Sequence, residues 1–222
     1  MIFQKKSKYA HAKRSAESSA LSGPGGIHCR AMNSTNSNTE YTSTAIILHW
    51  LVAGLVIVQF VLANLGERAE DAEDLVRELA LFANHRSVGI TILVLAIVRL
   101  LWRWRNPPPP LPDSVPRWQV IASRISHWSL YGILLAMPLS GWLMSSAGDV
   151  SVSWFSLVQL PDFVAPDHEL HEAFEDVHKL LAKLLFILAS LHILAALKHR
   201  LFDKDGVLQK MLPVPEGSDG ET

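Results

Sequence analysis

The chain has 222 residues, of which 49% are hydrophobic and only 18% are charged, and its formal net charge is −1. So few charges argue against a nucleic-acid-binding protein and against a largely disordered chain, since both classes are rich in charge. The single cysteine excludes a disulfide scaffold and any metal site made of cysteines alone.

The first 41 residues are polar and rich in Ser, Asn and Gly. They contain no apolar stretch of the kind that a secretory signal requires, and their composition predicts a disordered tail. Met32 offers an alternative start of translation. We therefore divide the chain into a disordered tail over 1–41, a transmembrane domain over 42–203 and a cytoplasmic tail over 204–222.

Four apolar segments fill the middle of the chain. Residues 41–66 and 125–148 contain no Asp, Glu, Lys or Arg, and each run exceeds the roughly 20 residues that a helix needs to cross a bilayer. Two further segments are nearly as apolar, so we predict transmembrane helices near residues 42–65, 80–102, 125–146 and 175–197. The expected fold class is all-α, a four-helix transmembrane bundle. The acidic residues 66–80 predict a short surface helix between the first two spans.

The charges that flank these helices predict their orientation. The segments 1–43, 102–124 and 198–222 together hold 14 basic and 8 acidic residues, whereas the loops 66–86 and 146–179 hold 4 basic and 13 acidic residues. Lys and Arg accumulate on the cytoplasmic side of membrane proteins. We therefore expect both termini in the cytoplasm and the two acidic loops outside.

Four histidines fall within the predicted helices. His49 lies near the inner end of the first helix and His85 near the outer end of the second, and the fourth helix carries both His178 and His192. The last two are 14 residues apart, which is nearly four turns and about 21 Å of rise, so they project from nearly one face. His178 matches the depth of His85, and His192 matches the depth of His49.

Two pairs of imidazoles at two depths predict ligation rather than hydrogen-bonded packing. Ionisable residues inside a membrane are rare and usually functional, and facing histidines are a common way for helix bundles to hold a cofactor. A structural zinc ion prefers four clustered nitrogen or sulfur ligands, whereas a porphyrin-bound iron needs two axial ligands. The pattern therefore predicts two bis-histidine haems stacked across the membrane.

Small and cationic residues complete the predicted site. Glycines offer room for a flat macrocycle close to a helix backbone, and the candidates are Gly54, Gly89, Gly132 and Gly141. Arg99 is expected either to bind the propionates of the inner haem or to extend to the membrane surface. Arg86 and Lys179 adjoin the two outer ligands and are candidates for the outer haem.

In these features the chain resembles the bacterial cytochrome b561 family of dihaem membrane proteins. The matching segments are TAIILHWLVAGLVI, NHRSVGITILVLAIVRL, RNPPPPLP, SHWSLYGILLAMPLSGWLM, VHKLLAKLLFILASLHILAALKH and KDGVLQKMLP, within about residues 42–213. The resemblance implies a four-helix bundle in the bacterial inner membrane with two haem b groups. His49 and His192 would bind the inner haem, and His85 and His178 the outer one.

The resemblance also implies a function, electron transfer to or from the quinone pool, with superoxide oxidation at the outer face in some members. Two other functions stay open. The chain is alternatively a cytochrome b anchor subunit that relays electrons from a periplasmic dehydrogenase or hydrogenase, or a haem-free ion transporter. The sequence identifies neither the electron donor nor the direction of electron flow.

Two further groups of histidines are expected to have ordinary roles. We expect His127, at the inner start of the third helix, to be an interfacial residue rather than a haem or quinone contact. The last outer loop carries His168, His171, Glu172 and Glu175. They lack the HExxH pattern, so we expect a solvated helix face rather than a site for a divalent cation.

Overall fold

The structure is a computed structural model that describes residues 41–110 and 115–212. Its framework is four long helices, α1 (Ser43–Asp71), α2 (Leu75–Arg105), α3 (Arg117–Ala147) and α4 (His168–Lys198). A small antiparallel hairpin of β1 (Ser153–Trp154) and β2 (Val158–Gln159) lies between α3 and α4. A π-helical turn (His199–Asp203) and a 3₁₀ turn (Gln209–Met211) follow α4. Residues 1–40 of the predicted disordered tail lie outside the described residues.

All four helices are long and apolar enough to cross a membrane, which confirms the all-α four-helix transmembrane fold. The prediction of a separate surface helix over 66–80 is wrong. Instead α1 continues to Asp71 and α2 begins at Leu75, so the acidic residues extend the two membrane helices into water. The chain reverses direction at Glu73, whose φ of 54° is in the left-handed region and interrupts the helix.

The four helices pack as two antiparallel hairpins. α1 packs along α2, α3 packs along α4, and the hairpins meet through α2 and α3. In α2 and in α3, at least a third of the most apolar 18-residue stretch of the helix is buried. In α1 and in α4, few residues of the corresponding stretch are buried. The buried residues at the centre include Val52, Ile92, Ala96, Leu134 and Leu185. The outer helices therefore leave wide apolar faces exposed, as lipid contact requires.

The two ends of the bundle differ in charge, and we name them accordingly. The acidic end comprises the α1–α2 turn and the segment that joins α3 to α4. There the Asp167 N–H donates to the Ala147 carbonyl over 2.9 Å. The basic end carries the starts of α1 and α3 and the ends of α2 and α4. There the Trp50 indole N–H donates to the Met211 carbonyl over 2.7 Å, which joins the segment after α4 to α1.

Candidate functional site

The structure brings the four membrane histidines together in two pairs. His85 of α2 and His178 of α4 form the acidic-end pair, with ring centres 6.2 Å apart. His49 of α1 and His192 of α4 form the basic-end pair, with ring centres 6.3 Å apart. Each pair joins two helices from different hairpins, and these are the pairs that the sequence suggests from depth along the helices.

The spacing within each pair fits a metal ion between two imidazoles. Metal–nitrogen bonds of about 2 Å on both sides, plus roughly 1 Å from each nitrogen to its ring centre, put the ring centres about 6 Å apart. A direct hydrogen bond of about 2.9 Å between the nitrogens would bring the centres to about 5 Å. The observed 6.2 and 6.3 Å match the first arrangement and exceed the second.

His178 is held by the backbone and a side chain of α3. Its Nδ1 lies 3.2 Å from the Met137 carbonyl and 3.0 Å from the Ser140 hydroxyl oxygen. A carbonyl oxygen only accepts hydrogen bonds, so Nδ1 carries the proton and Nε2 keeps a free lone pair. This is the tautomer in which a histidine ligates a metal through Nε2 while its other nitrogen is anchored.

Three buried polar atoms in the described residues have no hydrogen-bond partner, and all belong to this region. They are Nδ1 of His49, Nδ1 of His85 and Oε1 of Gln59. Buried polar side-chain atoms in proteins almost always have partners, so these three atoms single out the surroundings of the two histidine pairs. Sequence reasoning missed Gln59, although it is the only Gln within the charge-free run 41–66.

A cavity of about 630 Å³ lies at the acidic-end pair. Its lining includes both histidines, Gln59, Arg86, Gly89 and Gly141. The volume is within the range of about 300–1,000 Å³ that is usual for small-molecule and cofactor sites. The spacing of His85 and His178 and the volume and lining of this cavity together fit a haem at the acidic end.

Two glycines in this cavity permit close approaches. A Cβ added to Gly141 would lie 3.0 Å from Cε1 of His178, so this glycine lets the imidazole rest on the α3 backbone. A Cβ added to Gly89 would lie 3.2 Å from Nε2 of Gln59. Gly54 and Gly132 have no such neighbour within 4 Å. Gly141 therefore makes room for the His178 imidazole itself, whereas the sequence suggests only room for the macrocycle.

The three predicted cationic residues lie in different surroundings. The Arg99 guanidinium stacks over the Tyr131 ring, with 5.3 Å from its central carbon to the ring centre. Arg86 lines the acidic-end cavity and forms no ion pair with the described residues. Lys179 lines the same cavity but is 61% exposed and pairs with Glu175. Arg86 is therefore better placed than Lys179 to meet an anionic group.

The other histidines differ in how they are used. His127 does not stand apart at the interface, because its ring centre lies 5.3 Å from that of His192. His171 contacts the Met144 carbonyl over 2.9 Å and so links α4 to α3. Among the described residues, the histidine and carboxylate groups close enough to share a metal ion lie elsewhere, at His199, Asp203 and Asp205.

This chain is similar over most of its length to known proteins of one family. Residues 40–214 match the family described as prokaryotic cytochrome b561. Cytochrome b561 homolog 2 of Escherichia coli (strain K12) is 31% identical over 182 residues, 82% of this chain and 95% of that protein. A Yersinia pestis protein named "Probable superoxide oxidase CybB" is 30% identical over 80% of this chain and 98% of its own length. A Cereibacter sphaeroides cytochrome b562 is 29% identical, over 78% of this chain and 94% of its own length.

Proposed function

Because this chain belongs to the prokaryotic cytochrome b561 family, we propose that it binds two haem b groups and passes electrons between the quinone pool and a donor outside the membrane. Family membership already makes it a haem-binding electron-transport protein with four membrane-spanning helices in the bacterial inner membrane. It also disfavours the haem-free transporter that the sequence left open. The number of haems, their ligands and the redox partners are the proposed part.

One observation carries the proposal: two histidine pairs with ring centres 6.2 and 6.3 Å apart, at two levels of one bundle. When bound, the haems supply one-electron oxidation and reduction. His85 with His178 would hold one haem, and His49 with His192 would hold the other.

Other residues of the chain support these ligands. Met137 and Ser140 hold His178 in its ligating tautomer. We assign Arg99, which lies 14 residues after His85, to the propionates of the basic-end haem. Arg86 would place a positive charge beside the acidic-end haem without being needed to hold it. Gly89 provides space beside the acidic-end pair, and Lys179 has a weaker role because Glu175 already neutralises it.

The redox partners are proposed by class. The quinone pool is one partner, and the other is superoxide or a periplasmic protein. The name of the Yersinia pestis relative supports superoxide as a candidate donor. If the chain is instead the anchor subunit of a periplasmic dehydrogenase or hydrogenase, it will co-purify with an extrinsic iron–sulfur subunit. Purification from native membranes separates the two cases.

A reduced-minus-oxidised visible spectrum of the detergent-purified protein tests the haem content. We expect a b-type α-band and two haems per chain. A preparation without this band would rule out the cytochrome function, and a stoichiometry of one would rule out the two-site arrangement.

Single-site variants test the pairing. H85A and H178A should each remove the same haem, with about half the haem content and the other haem's spectrum retained. His168 is the control, because it is exposed, pairs with Glu172 and lies outside both pairs. H168A should keep both haems. If H85A and H178A remove different haems, the pairing is wrong.

A further inference from the structure

A second, smaller cavity of about 190 Å³ adjoins α2 at the acidic end. Its polar lining consists of Asn84, Arg86, Ser87, Ser151, Ser153 and Ser156. At about 30 Å³ per water molecule, it has room for roughly six waters, which is too small for a haem. Arg86 lines this cavity and the larger one beside the acidic-end pair, so the two cavities share one cation.

Arg86 is the cationic side chain of the small cavity. It is half-buried and forms no ion pair with the described residues, although acidic residues are abundant at this end. A guanidinium offers five N–H donors in a planar arrangement that suits carboxylates and similar anions. Ser151 and Ser156 line the same cavity, and serine hydroxyls can add hydrogen bonds to an anion.

The hairpin that forms the far wall is fixed to α2. The Ser87 hydroxyl shares its one proton between the carbonyls of Ala83, at 2.9 Å, and Ser153, at 3.0 Å, and it accepts from the Phe155 N–H over 3.0 Å. The Trp154 indole N–H donates to the Thr91 hydroxyl over 3.0 Å. These bonds join the hairpin to α2, so they hold the far wall of the cavity in place.

The hairpin turn is also conformationally unusual. Phe155 and Ser156 both have positive φ, 48° and 59°, and the Leu157 N–H donates to the Trp154 carbonyl over 2.9 Å. Such a turn favours Asn and Gly at its two central positions. Strained backbone persists only where its surroundings hold it, and it is often found at binding sites. The hairpin turn places Phe155 and Ser156 in the lining of the small cavity.

We propose that this cavity binds one small monoanion, the size of formate, and that binding lowers the midpoint potential of the haem held by the acidic-end pair. The inference rests on the proposed function for its redox consequence. A negative charge beside the haem stabilises the oxidised iron, which is the more positive state. Because two histidines would occupy the axial positions, the anion acts through space and not as a ligand.

A haem propionate offers the same carboxylate chemistry from the larger cavity, since Arg86 lines both. Ser151 and Ser156 line the small cavity and are absent from the lining of the larger one, and this favours an anion from solution. The two sources predict different outcomes when Arg86 is replaced. Loss of a propionate partner weakens haem retention, whereas loss of the anion site leaves the haem in place but insensitive to the anion.

The test is a redox titration of the haem-loaded protein in detergent with increasing sodium formate. A bulky sulfonate buffer salt, too large for the cavity, keeps the ionic strength constant. We expect the midpoint potential of one haem to fall with formate and then to level off, with formate bound three- to tenfold more tightly to the oxidised protein. A tenfold preference corresponds to about 59 mV for one electron. The α-band should keep its shape, because the axial ligands do not change.

R86Q should abolish the formate dependence while keeping both haems, and S156A should weaken the apparent formate affinity severalfold. Arg77, on the same helix but in the lining of neither cavity, is the control, so R77Q should respond like the unmodified chain. A formate dependence that survives in R86Q, or that is absent from a chain carrying both haems, overturns the proposal. Loss of the acidic-end haem in R86Q also overturns it, by assigning Arg86 to a propionate.

A second readout does not depend on haem. Formate should raise the Tm of the unmodified protein but not that of R86Q, because a ligand that binds the folded state stabilises it. If the chain carries no haem, the proposed function fails, and this thermal shift still decides whether the cavity binds an anion. Equal shifts in both proteins, or no shift in either, overturn the anion site.

Discussion

His178 is fixed on several sides by three residues of α3. The Met137 carbonyl and the Ser140 hydroxyl contact its Nδ1, and Gly141 leaves space for Cε1. These three residues are within five positions of one another, so one turn of helix orients the imidazole. The Nδ1 atoms of His49 and His85, in contrast, have no hydrogen-bond partner among the described residues. His178 is therefore the more firmly oriented histidine of the acidic-end pair.

Replacing Gly141 with alanine should disturb the acidic-end haem alone. The added Cβ would lie 3.0 Å from Cε1 of His178, so the imidazole must move away from α3 and lose its hydrogen bonds. We expect loss of that haem or a severalfold weaker retention, measured as haem per chain and by the reduced-minus-oxidised spectrum. G132A is the matched control, because its Cβ meets no atom of another described segment within 4 Å. An acidic-end haem that is equally retained in both variants would contradict this role for Gly141.

Two features of the secondary structure lie close to the acidic-end histidines: a proline inside α3 and the turn between α1 and α2. Pro138 lies within α3 beside Met137, and a proline inside a helix removes one backbone hydrogen bond and bends the helix. At the α1–α2 turn, the three-residue link brings Gly66 against the Phe82 ring. Phe82 in turn packs edge-on against His85, with ring centres 6.5 Å apart. The packing of this turn therefore reaches a proposed haem ligand.

Replacing Gly66 with alanine should destabilise the α1–α2 hairpin. The new Cβ would lie 2.9 Å from Cζ of Phe82 at a buried position, and overpacking of this kind costs about 1–3 kcal/mol. Thermal unfolding in detergent should show a lower Tm than for G54A, whose Cβ has no neighbour within 4 Å. Any gain in helix propensity is common to both variants, so it cancels in the comparison. If the Tm of G66A equals that of G54A, the Phe82 ring moves aside without loss of stability, and this prediction is wrong.

Over the whole molecule, an almost neutral net charge conceals two opposite ends. Acidic residues predominate in the loops 66–86 and 146–179, and basic residues predominate in the segments at the other end. The weakly buried α1 and α4 present apolar faces to lipid, while α2 and α3 form most of the buried centre. The two histidine pairs lie at two levels of this bundle, as the proposed electron transfer across the membrane would require.

The basic end should face the cytoplasm, since Lys and Arg predominate on that side of membrane proteins. Green fluorescent protein fused after Thr222 should fluoresce, and alkaline phosphatase fused at the same point should be inactive. As the reciprocal control, alkaline phosphatase fused after Asp149, just past α3, should be active because that point lies at the acidic end. An active phosphatase after Thr222 would reverse the orientation.

The sequence by itself determined the number of membrane helices, the charge difference between the ends and the depth of each histidine. These properties depend on local composition and on a fixed rise of 1.5 Å per residue, so they are readable along the chain. The prediction of a separate surface helix over 66–80 is wrong, because the acidic residues beyond the bilayer continue α1 and α2. Only the tertiary structure decided the contacts of His178 with α3, the burial of Gln59, the approach of His127 to His192 and the small cavity at Arg86. These features depend on how the helices rotate and pack against one another, and local patterns along the chain do not reveal that rotation, because it results from contacts between residues far apart in the sequence.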